Sequence, residues 1–264
     1  MPELPEVQTV VNELNDSLIG KHFSQIEICD FRGVNFNPEH IINQPIVTIY
    51  RRGKYIVFRF SNECYFIVHL RMTGKFVFGS ESNDVSHVKV CFTLSDGELL
   101  YFCDVRTFGT LEYAEDIQTF FASMGAEPLT DEFNSTYLFK MLQNSKRPIK
   151  NSLLDQSVVA GVGNIYADES LYLSNIGPTR PSNTLSKQEI ETLVSSIKNV
   201  LNQSLENMGT TLSDYRTTKN IGGENQHYLN VYGQSGRACL KCNSIIEKIK
   251  LAGRGTHYCP TCQK

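Results

Sequence analysis

The 264-residue chain predicts an α+β fold laid out in series, with a strand-rich N-terminal part behind one helix, a helical middle and a small cysteine-rich end. Three observations predict it. Short β-branched and aromatic segments recur at regular spacing through the first 115 residues. After Tyr113 the apolar period lengthens to that of a helix. Four of the eight cysteines crowd into the last 26 residues.

The elements follow in order. Val7, Val10, Val11 and Leu14 recur at helical spacing, and Gly20 marks the end of that helix. Phe23–Cys29, Ile46–Arg51, Lys54–Phe60, Cys64–Leu70, Val88–Leu94 and Leu99–Cys103 read as strands separated by Gly, Asn, Ser and Asp, in the spacing of an antiparallel sandwich or barrel. Ile117–Met124 and Phe133–Leu142 read as helices. Gly161-Val162-Gly163-Asn164 opens a short helix, Ile165–Ser174, which Gly177 and Pro178 close. Ser186-Lys187-Gln188-Glu189 has capping-box spacing ahead of a stripe from Ile190 to Leu205. The expected boundaries are a β-sandwich domain at 1–114, a linker at 115–130, a helical domain at 131–230 and a zinc-binding end at 231–264.

Composition excludes several classes. With 41% hydrophobic and 20% charged residues the chain is not broadly disordered. No apolar run approaches a membrane span, and no secretory leader is visible, so a soluble cytoplasmic protein is expected. A net charge of −3 argues against a general polyanion binder. The charge is unevenly placed, however: Arg237–Lys264 holds six basic residues against Glu247 alone, which points to one face meant for phosphate.

Cys239-x2-Cys242 and Cys259-x2-Cys262 have the spacing of a four-thiolate zinc site. Each two-residue gap lets one knuckle present two sulfurs to a tetrahedral ion. Four sulfurs close the coordination sphere, so one structural zinc is expected. Ser244–Leu251 and Thr256–Tyr258 then read as a hairpin around Ala252-Gly253-Arg254-Gly255. Cys29, Cys64, Cys91 and Cys103, scattered through apolar segments, read as buried inert thiols of a reducing compartment.

The N-terminus, Met1-Pro2-Glu3-Leu4-Pro5-Glu6-Val7, places two prolines and two carboxylates ahead of a helix. Proline and Glu in a first turn are common structural devices. The same residues have a chemical reading. If Met1 is clipped, Pro2 offers a secondary amine with a pKa of about 8, a usable nucleophile for a sugar C1′, and the adjacent carboxylates can manage protons.

Met1–Val7 resembles the N-terminus of the bacterial formamidopyrimidine-DNA glycosylase family. Arg51-Arg52-Gly53-Lys54-Tyr55, His69-Leu70-Arg71-Met72-Thr73-Gly74 and Asp104-Val105-Arg106-Thr107-Phe108-Gly109 resemble its later blocks. The resemblance continues through Leu153-Leu154-Asp155-Gln156 and Gly161–Glu169. It closes with Val231-Tyr232-Gly233 and the Gly253–Gln263 run. Endonuclease VIII-like enzymes share the N-terminal nucleophile, but Leu4 and the Asn164–Glu169 block favour the formamidopyrimidine branch.

The resemblance implies a bifunctional DNA glycosylase and lyase of base excision repair that excises oxidised purines (8-oxoguanine and formamidopyrimidines) and cuts the strand by β- and δ-elimination. The alternatives are an endonuclease VIII-like enzyme for oxidised pyrimidines and a non-catalytic zinc-finger DNA-binding protein. The bifunctional enzyme would act as a monomer on damaged double-stranded DNA in the bacterial cytoplasm, with a helix-two-turn-helix domain and a zinc finger gripping the duplex. By the resemblance, Pro2 is the Schiff-base nucleophile, Glu3 assists sugar-ring opening, Glu6 supports the site, and Lys54 transfers a proton in β-elimination. Arg254 grips the phosphates beside the lesion and assists δ-elimination. His87, Lys146, Lys150 and Asn164 are DNA contacts, and Met72, Arg106 and Phe108 fill the space of an everted nucleotide. From spacing alone, Lys54 is a surface charge beside Arg51 and Arg52, and Met72 and Phe108 are ordinary core residues. Thr210–Tyr215 fits the start of a lesion-capping loop, and Asn225 stands where relatives commonly carry Phe.

Overall fold

A computed structural model describes residues 1–29, 32–79 and 85–264 of the chain. Helix α1 spans Leu4–Leu18. Strands β1 (Phe23–Ile28), β2 (Val34–Asn35), β3 (Ile46–Arg52), β4 (Tyr55–Phe60), β5 (Tyr65–His69), β6 (Gly74–Gly79), β7 (Val88–Leu94), β8 (Leu99–Asp104) and β9 (Thr110–Ala114) follow. They form a four-stranded sheet in the order β1-β7-β8-β6 and a five-stranded sheet in the order β2-β9-β5-β4-β3, which is the expected sandwich. Alternation places Phe58, Phe60, Phe66, Phe76, Phe92 and Phe102 on inner faces, where they are fully buried or nearly so. Val7, Val10, Val11, Leu14 and Leu18 of α1 join the same core.

Three strands escape the sequence reading, among them β2, whose two residues are too few to show any period. The β6 segment is bounded by glycines and β9 carries only one clearly apolar inward residue, Leu111, so neither stands out by periodicity. Both are supplied by pairing: β6 lies along β8, and β9 along β5.

The remaining helices are α2 (Ile117–Phe120), α3 (Ser135–Leu142), α4 (Ile149–Leu154), α5 (Asn164–Leu173) and α6 (Lys187–Glu206). Ser186 caps α6 as its spacing predicts: its hydroxyl accepts from the Glu189 N–H and the Glu189 carboxylate accepts from the Ser186 N–H. Strands β10 (Glu247–Leu251) and β11 (Arg254–Tyr258) pair as an antiparallel hairpin.

The chain resolves into two compact units. One comprises Met1–Ala122 with Asn207–Glu224, the other Ser123–Glu206 with Asn225–Lys264. The segment 207–224, grouped by sequence with the helical part, thus packs with the sandwich. Its reasons are visible: Tyr215 enters the apolar core beside α1, and the Glu13 carboxylate accepts from both the N–H and the hydroxyl of Thr218 at 2.7 and 2.6 Å. The thiol expectation holds for Cys64 and Cys103, whereas Cys29, just past the end of the edge strand β1, is exposed, and Cys91 is half-buried because it alternates with the buried Val90 and Phe92 of β7 and so lies on the outer face.

Candidate active site and nucleic-acid interface

In the first unit, the start of α1 is built around two buried carboxylates. Glu3 is the N-cap, and its N–H donates to Glu6 Oε2 at 2.8 Å, closing a reciprocal capping box. Glu6 also receives the Thr210 N–H on Oε1 at 2.7 Å. Gly209 makes that approach possible: its φ is +85°, and a Cβ there would stand 2.9 Å from Glu6 Cγ. Pro2, Glu3 and Glu6 are all buried, while Met1 is 49% exposed. One carboxylate therefore ties the backbone beside Pro2 to the base of the 207–224 segment.

Lys54 sits in the two-residue turn between β3 and β4, where Gly53 takes a φ of +57°. It is only 6% exposed, so it is not the surface charge its spacing allows. Arg51 holds the turn, donating to Gln8 Oε1 at 3.0 Å and to the Gly53 carbonyl at 3.1 Å. Nearby His69 is buried and kept neutral. Burial, then the Arg71 and Lys54 cations, push its imidazole down to about 3. Its Nδ1 accepts the Arg71 N–H at 2.9 Å.

Arg106 and Phe108 project from the loop after β8, and the fully buried Asp104 builds that loop. Its carboxylate accepts the N–H groups of Gly109 at 2.7 Å and Arg106 at 3.2 Å, together with the Thr73 hydroxyl. The result exposes what an isolated sequence would bury: Phe108 is 56% and Met72 37% exposed. Arg106 Nη1 lies 3.3 Å from Met72 Sδ. Met72 and Phe108 border an open cleft of about 580 Å³, lined also by Met1, Arg71 and Thr110. His87 is exposed, has a φ of +60°, and gives its carbonyl to the Asp104 N–H.

In the second unit, Lys146 and Arg254 are exposed. Asn164 opens α5 and donates to the Gly255 carbonyl at 3.1 Å and the Tyr232 hydroxyl at 3.3 Å. Lys150, a DNA contact by the resemblance, is enclosed in protein: its side chain is 1% exposed and its ammonium is paired with Asp168 Oδ1 at 2.7 Å.

The four zinc cysteines converge. Their sulfurs lie within 4.8 Å of one another, with Cys239–Cys262 at 3.9 Å and Cys242–Cys259 at 3.5 Å. A tetrahedral ion with Zn–S bonds of about 2.3 Å requires edges of about 3.8 Å, which these separations match. They are far too long for a disulfide, and all four cysteines are free. The Lys241 and Cys262 N–H groups point at Cys239 and Cys259 sulfurs, as thiolate ligands require. The donors fit one structural zinc in a closed four-sulfur site.

Asp104, Asp168, Glu169, His69 and Glu13 were not singled out from sequence. Each is an acid or imidazole enclosed by tertiary packing, fully for Asp104, Asp168, Glu169 and His69 and partly for Glu13. For Asp168 and Glu169 the available signal was weak: two adjacent acids on a helix otherwise free of charge.

Family models match most of the chain in three pieces. They are the formamidopyrimidine-DNA glycosylase N-terminal domain over residues 1–111, the formamidopyrimidine-DNA glycosylase H2TH domain over 124–216, and the zinc finger found in FPG and IleRS over 236–264. A formamidopyrimidine-DNA glycosylase of Rickettsia massiliae is 43% identical over 271 residues, covering 100% of this chain and 97% of its own. One from an Exiguobacterium species is 40% identical, with both chains fully covered. Among solved structures, a Lactococcus lactis FPG variant in complex with a Fapy-dG containing DNA superposes with a TM-score of 0.93 at 36% identity, covering 100% of each chain. A MutM in complex with carbocyclic 8-oxo-G containing DNA gives 0.92 at 35%, again with full coverage. The MutM (FPG) protein of Thermus thermophilus gives 0.92 at 36%, covering 99% of this chain and 98% of its own.

Proposed function

The chain belongs to the formamidopyrimidine-DNA glycosylase family, and from that premise we propose how its residues divide the work of a base excision repair glycosylase and lyase acting on oxidised purines in DNA. The carrying observation is the buried start of α1, where Pro2 adjoins two carboxylates held by a reciprocal capping box. While Met1 is attached, the Pro2 nitrogen is an amide without nucleophilicity. Removal of Met1 frees a secondary amine that attacks C1′ of the damaged nucleotide. Glu3 delivers a proton to the sugar ring oxygen as the ring opens, the oxidised base departs with its bonding electron pair, and an iminium joins Pro2 to C1′.

The iminium acidifies the C2′ hydrogens. Loss of one expels the 3′ phosphate, and a second elimination expels the 5′ phosphate. Lys54, enclosed in its turn beside α1, moves protons in these steps. Glu6 acts through position, joining the backbone next to Pro2 to the base of the 207–224 segment. Met72, Arg106 and Phe108 enter the space of the everted nucleotide, since chemistry on a base in a duplex requires its removal from the stack. Arg254, Lys146, His87 and Asn164 provide contacts to the backbone. The zinc supplies no reaction chemistry; it shapes the hairpin that carries Arg254. The enzyme acts in this reading as a monomer, and a DNA substrate supports action in the bacterial cytoplasm.

Borohydride trapping tests the scheme. Protein lacking Met1 is expected to form a covalent adduct with duplexes bearing 8-oxoguanine or an abasic site, Pro2→Gly to weaken it, and retained Met1 to abolish it. A full adduct from protein whose Met1 is intact by mass spectrometry refutes the assignment of Pro2. Trapping on dihydrouracil in preference to 8-oxoguanine refutes the purine reading.

A further inference from the structure

We propose that the buried Lys150–Asp168 ion pair is the positioning element for Arg254, fixing the tip of the zinc hairpin to the helical part of its own unit independently of the metal. The inference rests on the reading of Arg254 as a phosphate contact.

The geometry around Arg254 carries it. Ala252 and Gly253, with φ of +45° and +80°, make the two-residue turn of the hairpin, and Arg254 is the first residue beyond it, paired with Leu251. The next three residues are each tied to α4 or α5. The Gly255 carbonyl accepts from Lys150 Nζ at 3.0 Å and Asn164 Nδ2 at 3.1 Å. Thr256 Oγ1 accepts from Lys150 Nζ at 2.8 Å. The His257 N–H donates to Asp168 Oδ2 at 2.9 Å, and its ring packs edge-on against Tyr232. Asp168 Oδ1 completes the circuit at 2.7 Å from the same ammonium.

Location separates this anchor from the zinc. The metal grips the hairpin at Cys259, beyond the last strand residue, whereas the ion pair grips 255–257 directly behind Arg254. An ion pair whose side chains are 1% and 0% exposed loses nearly all hydration, so it is a poor means of adding stability but a strict means of enforcing one register. Neighbouring Glu169 acts in the same sense on the entry to the finger, accepting the N–H groups of Asn230, Val231 and Tyr232. The α5 helix thus holds the finger at its entry and behind its tip.

A double-mutant cycle on the full-length, zinc-loaded protein decides the matter. Affinity for a duplex carrying a tetrahydrofuran abasic analogue is measured for the wild type, Asp168→Asn, Arg254→Ala and the double variant, with zinc content and thermal unfolding recorded for each. Asp168→Asn is expected to keep one zinc and to weaken binding about tenfold, and that loss is expected to vanish in the Arg254→Ala background. A loss that persists there in full, or no loss at all, overturns the proposal, because a merely structural pair acts on the whole finger and adds to Arg254→Ala. Should Asp168→Asn lose zinc or fail to fold, Thr256→Val takes its place in the cycle, removing the hydroxyl that accepts from Lys150 Nζ at 2.8 Å and donates to the Arg254 carbonyl at 3.5 Å. A loss that vanishes without Arg254 then supports the proposal, and a persistent loss or none overturns it. Unchanged affinity in Arg254→Ala alone refutes the reading of Arg254 as a phosphate contact, which is a distinguishable failure.

Discussion

Mild acid is expected to loosen the N-terminal sandwich through His69. The imidazole has an ordinary value of 6.5 and is held down to about 3 in the folded protein, first by burial and then by the Arg71 and Lys54 cations. The folded state therefore binds no proton on His69 across the window from 6.5 to about 3, whereas the unfolded chain does. Stability is fully present above 6.5 and falls as pH drops through that window, reaching a floor near the folded value. For a single group with those two values, the loss relative to neutral pH is about 0.7 kcal/mol near pH 6 and about 2 kcal/mol near pH 5. The comparison variant is His69→Asn, whose amide oxygen can still accept the Arg71 N–H now bound to Nδ1. It gives up the edge-on contact with Tyr55, a constant offset that does not depend on pH. Urea unfolding followed by circular dichroism at three pH values, for both proteins, supplies the measurement. Subtraction also removes the contribution of zinc release from protonating thiolates, which both share. The wild-type curve should fall away from the variant by about 2 kcal/mol between neutrality and pH 5. Parallel curves refute the reasoning.

Three further outcomes are expected. Cys242→Ser should lose the zinc, unfold the hairpin and weaken DNA binding and cleavage together; a zinc-free, fully active protein contradicts the structural role of the metal. Arg106→Ala should slow single-turnover excision opposite cytosine far more than opposite adenine, because a guanidinium offers only donors, which suit the acceptors of cytosine and meet a donor on adenine. The difference is expected at about ten- to hundredfold, with Phe108→Ala slowing both duplexes alike; equal losses for Arg106→Ala show that it only fills space. Gly209→Ala combines a φ of +85° with a Cβ 2.9 Å from Glu6 Cγ, so it should displace the 207–224 segment and reduce excision of an oxidised base by about tenfold or more. Wild-type excision rates in Gly209→Ala refute the role given to Glu6.

The features that sequence alone determined are those written in local spacing. Two Cys-x2-Cys knuckles specify a four-sulfur zinc site, since each knuckle is a short-range structure and the metal supplies the link between them. Periodicity marked α1, α6 and six of the strands because an amphipathic face repeats along the chain itself. Ser186 and Glu189 announced their capping box for the same reason. Side-chain direction was decided elsewhere. Met72 and Phe108 are apolar and read as core, yet Asp104 folds their surroundings so that both stand exposed. Lys150 is charged and reads as surface, yet it is enclosed because Asp168, Gly255 and Thr256 meet around it from segments up to 106 residues away in sequence. Cys29 reads as buried and lies exposed toward the edge of a sheet. The physical reason is common to all three: whether an amphiphilic side chain faces protein or water depends on which distant partner arrives to satisfy it, and that partner is chosen only when the chain has folded.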